Sequence, residues 1–127
     1  MKKEIGLWID HREAVVVVIV AGKGQETKRI ASGIEEHIRF SGGAKDVTAE
    51  DMHDRKFANH LGKYYDEVIA SIRDADSILI FGPGEAKDEF KKRLESQQLG
   101  GRIIGVEAAD KMTDRQVTAK VRRRFLA

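Results

Sequence analysis

The stretch IGLWIDHREAVVVVIVA, residues 5–21, holds two apolar runs separated by four polar residues. The first run, Ile5 to Asp10, is short and ends in the turn Asp10-His11-Arg12-Glu13. Aspartate suits such a turn because its side chain bonds nearby backbone amides. The second, from Ala14 to Ala21, carries the unbroken β-branched sequence VVVVIV, the pattern of a strand covered on both faces. Working outward, Gly22-Lys23-Gly24 turns the chain again. Glu26 to Ile30 and then Ile34 to Phe40 read as one further strand, broken near Ser32-Gly33. In its latter part Ile34, Ile38 and Phe40 fall on one side, and Glu35, His37 and Arg39 on the other. The chain therefore opens with an antiparallel three-stranded meander.

The remainder alternates helix and strand. Phe57, Leu61, Tyr64, Tyr65, Val68, Ile69 and Ile72 recur at helical spacing and predict a helix from about Asp51 to Arg73. Ser77 to Phe81 is a short buried strand. Gly82-Pro83-Gly84 then turns into a second helix, with Ala86, Phe90 and Leu94 four apart. Leu99-Gly100-Gly101 is expected to end it. Arg102 to Val106 is the last strand, and Thr113-Asp114-Arg115-Gln116 is a capping box opening a final helix. Val117, Val121 and Phe125 should face inward there. The order β-β-β-α-β-α-β-α predicts an α/β fold, a ribonuclease-H-like five-stranded mixed sheet with helices on both faces and the first strand near its middle.

At 127 residues the chain is the size of one domain, with a single core expected across 1–127. It has no cysteine, which excludes a disulfide framework or a thiolate metal site. Asp10, His11, Arg12 and Glu13 interrupt the apolar start, so neither a signal peptide nor a membrane span is expected. The expected setting is the reducing cytoplasm. A net charge of +2, with 35% of residues charged, describes a mixed-sign surface. Any nucleic-acid role therefore needs a local patch.

Five segments carry a family likeness: LWIDHREAVVVVI, RFSGGAKD, HLGKYYDEVIASI, DADSILIFGPGEAKDEFKKRLE and GVEAADKMTDRQVTAKVRRRF. Through them nearly the whole chain resembles the bacterial relatives of the middle domain of the archaeal and eukaryotic peptide-chain release factor, a group also called translational machinery or host-attachment proteins. The resemblance implies a loop between the third strand and the first helix that in the release factor carries Gly-Gly-Gln. That glutamine positions water at the ester of peptidyl-tRNA. Here Gly42 and Gly43 stand at the matching place and Ala44 follows. The amide is missing, and no catalytic residue is expected.

The loop lies in FSGGAKDVTAEDMHDRK, residues 40–56. Its glycines permit unusual backbone angles and close approach to another backbone. Lys45, Arg55 and Lys56 could contact phosphates; an ordinary turn accounts for the glycines equally well. On the first helix His60, Lys63 and Tyr64 are candidates to bond to or stack on RNA. Tyr65 is expected in the core, and Tyr64 is open between the two roles. Arg122, Arg123 and Arg124 span too wide an arc to be buried together and suggest a basic edge. The partner expected is the ribosome or tRNA.

Other chemistry has less support. Gly82, Gly84 and Lys87 form a strand-to-helix turn that could attract an anion, although Glu85 sits where a phosphate would come. Asp10 matches the first carboxylate of a ribonuclease-H-like nuclease, but the fourth strand supplies no partner acid. His53 and His60 are two turns apart, too far to share one metal directly. No metal or cofactor is expected. A hydrolase holding water near Gly42 and Gly43, and a protein pairing through its outer, third strand, are the competing readings.

Overall fold

The structure, a computed structural model, describes residues 2–33 and 49–126, with the backbone alone over 49–58. The meander forms as β1 (Lys3–Ile9), β2 (Glu13–Val20) and β3 (Gly24–Ala31). Helix α1 (Ala49–Ile72) precedes β4 (Ser77–Gly82), α2 (Ala86–Ser96), β5 (Ile103–Ala108) and α3 (Asp114–Leu126). The expected continuation of the third strand, Ile34 to Phe40, lies outside the described residues.

The sheet order is β3-β2-β1-β4-β5. β1 pairs antiparallel with β2 and parallel with β4; β3 is antiparallel to β2 and β5 parallel to β4. This is the ribonuclease-H-like arrangement, with β1 central and β3 and β5 at the edges. No described helix is long and apolar enough to cross a membrane.

Strand alternation divides the apolar residues between two cores. Ile5, Leu7, Ile9, Val16, Val18, Ile78 and Ile80 meet Leu61, Val68, Ile69 and Ile72 of α1 and Phe90 and Leu94 of α2. On the opposite face Trp8, Val15, Val17, Ile19, Leu79 and Phe81 meet Val117 and Val121 of α3. Each fully buried aliphatic side chain contributes about 1.5–3 kcal/mol, so both cores are needed. Trp8 is buried, and its indole N–H donates to the Asp110 carbonyl at 3.0 Å. That bond satisfies the ring's one donor and ties down the turn before α3.

The capping box forms as expected. The Thr113 N–H donates to Gln116 Oε1 at 2.9 Å, and the Gln116 N–H donates to Thr113 Oγ1 at 3.2 Å. From that start α3 is laced to the edge strand β3. Asp114 accepts from Arg29, Thr118 Oγ1 lies 3.2 Å from Thr27 Oγ1, and Arg122 donates to Gln25 Oε1 at 2.9 Å.

Helix α2 ends differently from expectation. It stops at Ser96, and the left-handed residue is Gln98, with φ 64°, two positions before the first glycine. The Leu99 N–H donates to the Leu94 carbonyl at 2.9 Å and the Gln98 N–H to the Glu95 carbonyl at 3.1 Å. These are the paired bonds of a Schellman end, with Leu99 buried behind them. Gly100 serves packing instead: a Cβ there would lie 2.8 Å from Glu95 Cγ. A side chain at a left-handed position costs roughly 1–2 kcal/mol that glycine avoids. Gln98→Gly is accordingly expected to raise the unfolding free energy by up to about 1 kcal/mol after the added chain entropy, read as a higher urea midpoint. An unchanged or lower midpoint would count against this account of the helix end.

Candidate nucleic-acid interface

The site is built where β1 ends, β2 begins and β3 leaves the sheet. Asp10 Oδ1 accepts from the backbone N–H groups of Arg12 and Glu13, each at 2.8 Å. The Asp10 N–H donates to the Glu13 carbonyl at 3.0 Å, which closes the turn. Through these bonds Asp10 organises a hairpin. Among the described residues no three or more acids or histidines are grouped to hold a metal.

Helix α1 is pinned to this turn. Tyr64 is 2% exposed, and its hydroxyl donates to the Asp10 carbonyl at 3.0 Å. The reading of Tyr64 as an RNA-stacking residue is thereby corrected, since both ring and hydroxyl are enclosed. Tyr65 is buried as expected. Its hydroxyl donates to Glu89 Oε1 at 2.7 Å, and His11 Nε2 lies 3.0 Å from the same oxygen. Burial is the main cause that pushes both phenols above their ordinary pKa; for Tyr65 the bond to Glu89 adds to it. The Tyr65 and Phe90 rings meet edge to face at 5.9 Å. Glu89 thus joins the β1–β2 turn, α1 and α2 through one oxygen.

One turn before Tyr64, the His60 ring bonds the Ser32 carbonyl, while the Ser32 N–H donates to the Arg12 carbonyl at 2.7 Å. These contacts fix the end of β3 against α1, at the root of the segment 34–48. His60, half-buried, takes part in that joint. Lys63 is exposed, and no salt bridge engages it among the described residues.

Neither a protein-family model nor a curated protein matches the chain. Solved structures do match. The Pelota protein of Thermoplasma acidophilum aligns with a TM-score of 0.61 and 19% identity, covering 96% of this chain and 32% of its own. Pelota of Archaeoglobus fulgidus gives 0.60 and 18%, covering 98% and 32%. An archaeal translation termination factor, aRF1, gives 0.51 and 14%, covering 93% and 37%. By fold, the chain is release-factor-like. It spans about a third of the length of each of these proteins.

The remaining candidates fall into separate places. Gly42, Gly43 and Lys45 lie outside the described residues, as do the side chains of His53, Arg55 and Lys56, whose backbones belong to α1. Arg122, Arg123 and Arg124 end α3, across the sheet from α1, so the structure does not bring them together with Lys63. The 82–87 turn closes on itself. Gly82 is buried where any Cβ would overlap the Ile9 carbonyl oxygen, and the Lys87 ammonium donates to the Gly84 carbonyl and lies 3.6 Å from Asp88. At this turn, expected as a weak anion site at Gly82, Gly84 and Lys87, the cation is turned onto the loop's own oxygen.

Sequence reasoning missed the clamp that holds α2 to α1. Arg93 Nε donates to Asp66 Oδ1 at 2.7 Å and its Nη2 to Oδ2 at 2.8 Å. Gly62 makes room for it: a Cβ there would lie 3.3 Å from Arg93 Nη2. The arginine bond is the largest influence holding Asp66 below the ordinary carboxylate range. A depressed pKa contributes stability that is complete above the unfolded value and is lost as pH falls through the folded one. Both partners are partly exposed, so that contribution is small. In Arg93→Ala the Asp66 carboxyl, followed by NMR titration, is expected to shift upward toward its ordinary midpoint. An unmoved titration would remove Arg93 as the cause.

Proposed function

We propose that the chain is a non-catalytic, cytoplasmic module of translation that contacts ribosomal RNA or tRNA through the Gly42-Gly43 segment and the adjoining side of α1. The observation that carries the reading is the anchoring of α1 at His60 and Tyr64 beside an exposed Lys63 that no salt bridge engages among the described residues. Lys56 and Lys63 are seven positions apart, two helical turns, so they recur about 10 Å apart along one stripe of the helix. Arg55 adjoins it, and Lys45 comes from the segment rooted at Ser32. Cations spaced along a rigid rod are suited to successive phosphates. The release-factor-like fold supports the ribosome as the place of action, and Ala44 supports binding without hydrolysis.

Purified protein is expected to co-sediment with ribosomes at low salt and to be released as salt rises. Replacing Arg55, Lys56 and Lys63 together with glutamine should lower the slope of log affinity against log salt by about 2 while leaving the circular dichroism unchanged. Absence of both ribosome and tRNA binding at low salt would end the proposal. Hydrolysis of peptidyl-tRNA by the protein would overturn its non-catalytic part.

A further inference from the structure

The sheet has two edges of opposite character. β3 presents Gln-Glu-Thr-Lys-Arg over residues 25–29, and three of these side chains are bonded to α3. Charged, occupied side chains of this kind protect an edge against pairing. β5 reads Ile-Ile-Gly-Val-Glu-Ala over 103–108, with one charged residue and no lysine or proline. Its ladder with β4 shifts register between Ile103 and Gly105, which leaves Ile104 as the extra residue, 41% exposed. Beyond it Gly105 to Ala108 pair regularly and offer the outer side of their backbone to solvent.

A groove runs between this edge and α3, lined by Leu79, Glu107, Lys120, Arg123 and Arg124. Gly105 helps keep it open, because a Cβ there would lie 3.3 Å from Leu79 Cδ1. Lys120 is accounted for: its ammonium is 3.0 Å from Glu107 Oε1 and 5.4 Å from the Phe81 ring centre. Arg123 and Arg124 are exposed, and among the described residues neither has an acidic partner. Three cations against one carboxylate leave the groove with a surplus of two positive charges.

We propose that the β5 edge is a docking site for an extended acidic segment of a partner protein, which adds as a sixth strand beside Gly105–Ala108 and turns its carboxylates toward Arg123 and Arg124. Main-chain bonds supply the affinity in such an addition, and side chains that alternate between the faces supply the selectivity. Along the added strand, acids belong on the α3 face and apolar residues on the other, where Ile103 and Val106 join the larger core. The charge argues against a second copy of this chain. An antiparallel pairing of two β5 edges continues one sheet, so both α3 helices would share a face and their arginine pairs would approach each other. RNA is disfavoured by the apolar floor at Leu79 and by Glu107 within the groove. The site lies across the sheet from α1 and does not depend on the RNA-binding proposal.

The test uses the full chain and a fluorescein-labelled octapeptide of alternating valine and glutamate, with its valine–lysine counterpart as control. The acidic peptide is expected to give saturable anisotropy and the basic one none. Arg123→Glu with Arg124→Glu should weaken binding by about tenfold or more, as loss of close charge pairs does. Gly105→Val should weaken it by filling the groove, with circular dichroism confirming that each variant is folded. Strand addition, as opposed to loose charge attraction, requires that the peptide slow amide hydrogen exchange at 105–108 and not at 24–31. Failure to saturate at millimolar peptide, or binding with unchanged exchange at 105–108, would overturn the proposal. So would a dimer, seen by sedimentation, that Gly105→Val abolishes. Loss of single-stranded oligouridylate binding in the arginine double variant, without any peptide binding by the parent protein, would assign the face to nucleic acid instead.

Discussion

Val121 rests on the bare backbone of Gly6 in the central strand, and the position of α3 follows from that contact. A Cβ at Gly6 would overlap the Val121 methyls, so a larger residue there would lift the helix from the sheet. Seated low, α3 fills the second core with Val117 and Val121 and reaches both edges of the sheet at once. Toward β3 it is met at alternate strand residues, 25, 27 and 29, by every fourth helix residue, 122, 118 and 114. Two strand residues advance about 6.7 Å and four helix residues about 6 Å, so the rungs stay nearly in step for that distance. Toward β5 there is no such match. One ion pair, Lys120 with Glu107, spans the gap, and the glycine at 105 leaves the groove open.

The other face is organised by hydrogen bonds gathered at one end. β1 delivers Asp10 to the end of the sheet, and the residue works twice: its carboxylate closes the turn and its carbonyl receives Tyr64. Glu89 binds Tyr65 and stands beside His11, while His60 holds Ser32. The carboxylate at the end of the central strand is thus engaged within its own turn. What matters is which donors reach it, and here they are backbone amides. The same contacts hold α1 against the end of β3, so Lys63 on its exposed side is presented from a fixed base.

What could be read from the sequence was local. The Asp10 turn, the capping box at Thr113 and Gln116, and the division of apolar residues along strands all depend on neighbours within a few positions. The pieces that escaped join residues far apart: Arg29 to Asp114, Gln25 to Arg122 and His11 to Glu89 lie 85, 97 and 78 positions from each other. No spacing rule encodes such pairs. Tyr64 and Tyr65 illustrate a finer limit. Helical periodicity places both near the buried stripe, and only the carbonyl of Asp10 decides that Tyr64 is enclosed. Gln98 escaped for the opposite reason, because two nearby glycines offered a more favourable left-handed residue than the one the helix uses. Of the candidate interface, the sequence supplied the cations of α1 but could not tell which of its neighbours the fold would occupy.

The distribution of charge follows from the same architecture. Lys63 on the outer side of α1 and Arg123 and Arg124 at the end of α3 have the whole thickness of the sheet between them. Helices and sheets pack about 10 Å apart, so the two outer surfaces are separated by far more than the roughly 8–10 Å over which salt screens exposed charges at physiological strength. The fields of the two surfaces are consequently independent. A polyanion that meets Lys63 gains nothing from Arg123 and Arg124 unless it wraps an edge of the sheet. The β3 edge is the closed one, laced to α3 by side chains, which leaves β5 as the side where backbone, groove and arginines with no acidic partner among the described residues coincide. The fold thus sets Lys63 and the Arg123–Arg124 pair on opposite faces of the sheet, where neither reinforces the field of the other.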